Sequence, residues 1–128
     1  LLNLLKRNPK DTYTLNYVSY KLALNEQDLN FALSLIKQAL TIDPENGFFL
    51  DTLGWVEFKR KNYNKAVFFL EKSFSILPRS SEIMDHLGDC YLMLNRKKEA
   101  VFEWRKAIKY ENDANIIKNI HAKLKKYE

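Results

Sequence analysis

The sequence predicts an all-α protein, a solenoid of three helical hairpins closed at its C-terminal end by one capping helix. Three observations predict it. Pro44 and Pro78 lie 34 residues apart, and sliding the chain on itself by that interval superposes Leu53-Gly54 on Leu87-Gly88, Ala66 on Ala100 and Phe58 on Leu92. Internal periods of about 20 to 50 residues are the mark of stacked supersecondary units. Within each period apolar residues recur at helical spacing in two successive stretches. The chain has only three Pro and three Gly in 128 residues, which suits helices joined by short turns. One hairpin cannot cover its own apolar face and must lean on a neighbour, so function is to be sought on a groove rather than in an enclosed pocket.

The elements follow in order. Leu1-Leu2-Asn3-Leu4-Leu5 runs into Lys6-Arg7-Asn8-Pro9, which reads as the last turns of a helix from an upstream repeat, residues 1–8. Pro9 and Pro44 are 35 apart rather than 34, and the extra residue is placed in the turn around Asn25 to Asp28, where an insertion costs little. Three repeats result, at residues 12–44, 45–78 and 79–112, within one domain covering 1–128. The first carries Leu15, Val18 and Leu22, then Leu29, Ala32, Leu33, Ile36 and Ala39. The second carries Leu50, Leu53 and Phe58, then Tyr63, Ala66, Val67, Leu70 and Phe74; the third carries Met84, Leu87, Tyr91 and Leu92, then Ala100, Val101, Trp104 and Ala107.

Ser19, Gly54 and Gly88, set against Ala32, Ala66 and Ala100, are expected to let paired helices approach closely. A mid-helix Gly costs on the order of 1 kcal/mol against Ala, so packing must return more than that. The prolines end each second helix, and Ser80 and Asp113 suit N-caps. Residues 113–128 do not repeat. They place Ile116, Ile117, Ile120, Leu124 and Tyr127 on one stripe and Lys118, Lys123, Lys125 and Lys126 on the other, an amphipathic helix with the polar outer face a cap needs.

Composition narrows the function. Almost half the residues are apolar and 29% are charged, so disorder is not expected. The longest apolar runs are too short for a membrane span. The lone Cys90 excludes an intramolecular disulfide and leaves the compartment open. Net charge is +5, with basic groups at Lys59-Arg60-Lys61, Arg96-Lys97-Lys98, and Lys123 with Lys125-Lys126.

These residues resemble the tetratricopeptide repeat family. The second repeat matches its pattern through Leu50, Leu53-Gly54, Phe58, Tyr63, Ala66, Leu70, Ser73 and Pro78; the third matches through Met84, Leu87-Gly88, Tyr91, Ala100, Trp104 and Ala107, with Asn112 in place of the final Pro. The first is degenerate, with Ser19 in place of Gly. The resemblance implies a right-handed α-solenoid whose leading helices line a concave surface. Runs such as Asp51-Thr52-Leu53-Gly54-Trp55 and Asp85-His86-Leu87-Gly88-Asp89 also look like the C-terminal repeats of long bacterial proteins of this family, several of them exported and lipid-anchored, which implies an envelope location.

Carried onto this chain, the resemblance implies a groove grading from aromatic to acidic, with Tyr20, Phe48, Asp51, Trp55, Glu82, Asp85 and Asp89 as the partner contacts. Aromatic rings offer rigid contact area, and the carboxylates favour a protein or peptide bearing basic as well as apolar residues. Phe48 and Trp55 also suit a purely structural joint between hairpins. The positions of the family's terminal-carboxylate clamp hold Asn16, Tyr20, Thr52, Glu82 and His86, and Glu82 would repel such a ligand. His86 and Cys90 are four apart on one helical face, a spacing that could hold a metal or a thiol-imidazole pair, but Cys90 falls in the hairpin interior. No catalytic residue, metal or cofactor is expected. The alternative function is nucleic-acid binding along an edge of recurrent basic turns, opposed by the acidic groove. Leu1, Leu2, Leu4 and Leu5 predict self-association through the N-terminal end.

Overall fold

The computed structural model describes residues 1–128 and contains eight helices and no strand. They are α1 (Leu2–Arg7), α2 (Thr12–Leu24), α3 (Leu29–Ile42), α4 (Gly47–Lys59), α5 (Tyr63–Ile76), α6 (Ser81–Met93), α7 (Lys97–Tyr110) and α8 (Ala114–Tyr127). The hairpins α2/α3, α4/α5 and α6/α7 stack in chain order as an α-solenoid, and α8 packs on α7. No helix is long and apolar enough to cross a membrane.

The leading helices share one start signal. Asp11, Asn46, Ser80 and Asp113 each accept backbone N–H bonds with their side chains, Asn46 from both Phe48 and Phe49, satisfying donors that an open first turn leaves orphaned. Asp11 and Asn46 supply caps beyond the two foreseen. The stop signal is shared as well. At the ends of α2, α4 and α6, Glu26, Lys61 and Asn95 sit at φ of 53°, 68° and 61°. The next residue's N–H reaches back five positions in each case, Gln27 to Leu22, Asn62 to Glu57 and Arg96 to Tyr91. This is the Schellman arrangement, formed here without glycine. The turn between α2 and α3 has four residues where the other two have three, and its additional residue, Asp28, also takes a left-handed backbone at φ 44°.

Close approach within hairpins is specific. A Cβ on Gly54 would lie 2.6 Å from Leu70 Cγ, and one on Gly88 would run into the Trp104 ring nitrogen. The glycines therefore face the large residue one turn beyond Ala66 and Ala100, not the alanines alone. In the first hairpin Ser19 turns the same position into a bond, its hydroxyl donating to the Ala32 carbonyl at 2.7 Å in a buried setting.

Burial divides into two apolar clusters. One joins α2, α3 and α4 through residues including Leu15, Val18, Ile36, Phe49, Leu53 and Val56. The other joins α5 to α8 through Leu70, Met84, Leu87, Trp104, Ile120 and Leu124 among others. Phe58 packs against both. The boundary runs through the middle hairpin, so α4 and α5 tie the halves together.

Candidate functional site

The groove is built by α2, α4 and α6, and it contains an open cavity of about 280 Å³. Tyr17 and Tyr20 of α2, Phe48 and Asp51 of α4, and Glu82 of α6 are among its walls. The Asn46 and Ser80 caps start α4 and α6, so Phe48 and Glu82, each two residues into its helix, stand at the same end of neighbouring helices.

Below the opening lies a hydrogen-bonded core. His86 Nδ1 donates to Asp51 Oδ1 at 2.9 Å with both side chains buried, and the donor atoms of Asp51, Glu82 and His86 lie within 4.8 Å of one another. The His86 ring stacks on Trp55 with centroids 4.0 Å apart, and Trp55 stacks on Phe58 at 4.6 Å. Burial works against the imidazolium, but the Asp51, Glu82 and Asp85 charges outweigh it and hold His86 above its ordinary value. Loss of hydration and the Asp51 charge raise the Glu82 carboxyl, with His86 opposing. Burial, then the Glu82 and Asp51 charges, push the Tyr20 phenol up to about 12.

Further along α6 the carboxylates already have a cation. Lys123 of α8 donates to Asp85 at 2.8 Å and to Asp89 at 2.9 Å. Burial disfavours its ammonium, yet the Asp89 and Asp85 charges keep Lys123 above its usual value.

The seven foreseen contacts thus fall into three situations. Phe48 is 63% exposed, and with Tyr20, Asp51 and Glu82 it lines the cavity. Trp55 is only 8% exposed and serves as the stacked joint beneath it. Asp85 and Asp89 sit apart, engaged with Lys123. Tyr17 was missed, although it lies one helical turn before Tyr20. The sequence marks Lys123 only as part of the polar face of a cap, and its pairing with Asp85 and Asp89 is visible only in the structure. His86 bonds Asp51 rather than pairing with Cys90, whose thiol is buried in the core and pushed up chiefly by that burial. Several cations of the basic turns are paired: Lys59 with Glu26, Arg60 with Glu57, and Arg96 with Glu99.

Stacked helical hairpins of 34-residue period, with small residues at the hairpin crossings and a groove lined by leading helices, define an α-helical repeat protein. No family model matches the chain. It is 30% identical over 109 residues to the TPR repeat-containing protein MJ1428 of Methanocaldococcus jannaschii, covering 85% of this chain and 18% of that protein's length. Among solved structures it resembles TTC0263, a thermophilic TPR protein of Thermus thermophilus, with a TM-score of 0.79 at 21% identity over 98% of this chain and 68% of that one. It also resembles the first TPR of Spaghetti (RPAP3) bound to the HSP90 peptide SRMEEVD, with a TM-score of 0.78 at 14% identity over 91% of this chain and 89% of that one. The three hairpins have the tetratricopeptide repeat fold, and the likeness in sequence to MJ1428 supports that family.

Proposed function

We propose that the chain is a non-catalytic scaffold module that receives a segment of a protein partner in the concave groove of α2, α4 and α6. One observation carries this reading: exposed Phe48 shares an open cavity with Tyr20, Asp51 and Glu82. A large ring held on a rigid helix beside fixed carboxylates is the arrangement from which binding hot spots are made. A structural neighbour holding an HSP90 peptide in the same fold supports it. That peptide, SRMEEVD, has three acidic side chains. The carboxylates here favour the opposite polarity, a segment with apolar anchors and basic residues.

The test is affinity capture from the native organism, identification of the partner by mass spectrometry, and titration of that purified partner. Phe48→Ala combined with Glu82→Lys should weaken binding at least about tenfold, the loss of one hot-spot contact, while the melting curve stays near the parent because both side chains are exposed. Unchanged affinity would remove the groove from consideration.

A further inference from the structure

The cavity between α2, α4 and α6 holds two carboxylates, Asp51 and Glu82, and no Lys or Arg among its lining residues. Asp51 is bonded to His86, which lies beneath it. The neighbouring charges are Asp85, already held by Lys123, and Lys21, which lies over the Tyr17 ring at 5.8 Å from its centroid. Lys21 is in salt-bridge contact with neither cavity carboxylate.

The same helix shows what its carboxylates take. One and two turns on from Glu82, Asp85 and Asp89 grip the ammonium of Lys123 at 2.8 and 2.9 Å. That ammonium lies over the Trp104 ring, 5.8 Å from its centroid. An intramolecular lysine thus occupies one pair of acids beside an aromatic face; in the adjoining pair Glu82 is exposed at the cavity, next to Asp51, one oxygen of which is held by His86, among Tyr17, Tyr20 and Phe48. Ammonium and guanidinium groups gain both from paired carboxylates and from aromatic faces.

We propose that this cavity is a subsite for a single Lys or Arg side chain of a bound protein segment, with Glu82 and Asp51 holding the cation and Tyr20 and Phe48 flanking its aliphatic stem. The proposal rests on the reading that the groove receives a protein segment, and it names the residue class that sets the register. The incoming cation opposes the protons of Glu82 and His86, both of which are held above their ordinary values, Glu82 by burial and the surrounding carboxylates and His86 by those carboxylates. Binding therefore releases protons and strengthens as the pH rises above the ordinary histidine value of about 6.5.

A displayed library of random linear peptides, selected against the full chain, provides the probe. Groove binders, defined by loss of binding to Phe48→Ala, should share one Lys or Arg at a fixed position. Replacing that residue by norleucine, or Glu82 by Gln, should each weaken a selected peptide about tenfold or more, and the two changes together should cost little beyond either alone. Glu82→Asp should recover part of the loss. Calorimetry in buffers of different ionisation heat should show proton release by the parent and less by Glu82→Gln.

Groove binders without a fixed basic residue, or with an acidic one, overturn the subsite and leave the scaffold reading standing. A library that yields no groove binder overturns both. A melting temperature raised by micromolar Zn²⁺ alone in the parent, but not in Glu82→Gln, would assign the cluster to a metal and overturn the subsite as well.

Discussion

At the residue scale the chain depends on a few positions where shape or charge admits no substitute. Trp104 is fully buried and its ring edge occupies the space a side chain at residue 88 would need. Gly88→Ala should therefore destabilise the fold by about 1–3 kcal/mol, the usual cost of overpacking, in spite of the better helix propensity of Ala; urea denaturation measures it. The Ser19 hydroxyl is a second such position, and Ser19→Ala should cost about 1 kcal/mol by removing a buried bond. His86 sets a pH dependence. Its native value lies above the unfolded one, so its contribution is complete below about pH 6.5, the ordinary histidine value, and is lost as the pH climbs through the higher native value. The melting temperature of the parent should fall as the pH rises past neutrality. His86→Gln, which keeps a donor near Asp51, should flatten that slope.

At the scale of elements, the helices and their ends were largely legible in the sequence. Prolines 44 and 78, each two residues past a helix end, and the spacing of apolar residues carry local information, and local geometry determines helices. What was not legible concerns side chains one repeat apart. His86 meets Asp51 at a separation of 35 residues, and Lys123 meets Asp89 at 34 and Asp85 at 38. The repeat period could have exposed these pairs, because residues one period apart on leading helices are neighbours in the stack. Which of them turn toward each other depends on rotamers that spacing does not encode. Trp55 shows the same limit: its helical position suits either groove or joint, and only the structure shows it stacked on His86. The turns offer a further test. Lys61 holds a left-handed backbone that a Cβ disfavours. Lys61→Gly should stabilise the protein by about 0.5–1 kcal/mol, the relieved strain less the added freedom of the unfolded chain, as read from the shift in denaturation midpoint.

For the whole molecule, two apolar clusters meet within the middle hairpin, where Phe58 packs against both, so cooperativity depends on the contacts across that hairpin. Stacked repeats behave as coupled units whose interfaces determine whether they unfold together. Each cluster holds one tryptophan, Trp55 in the first and Trp104 in the second, so their fluorescence reports the two halves separately in Trp→Phe single variants. Unfolding curves from the two reporters should coincide in the parent and separate when Phe58→Ala weakens the junction.

Lys123 also gives the molecule a polarity. With its own amine spent on Asp85 and Asp89, the α8 end offers an incoming polypeptide no unpaired acid on that stretch of α6, whereas Glu82, nearer α2, forms no salt bridge and lines the open cavity. A guest chain received as proposed would therefore meet its charge anchor on the α2 side and neutralised acids on the α8 side, which gives it one direction in which to lie.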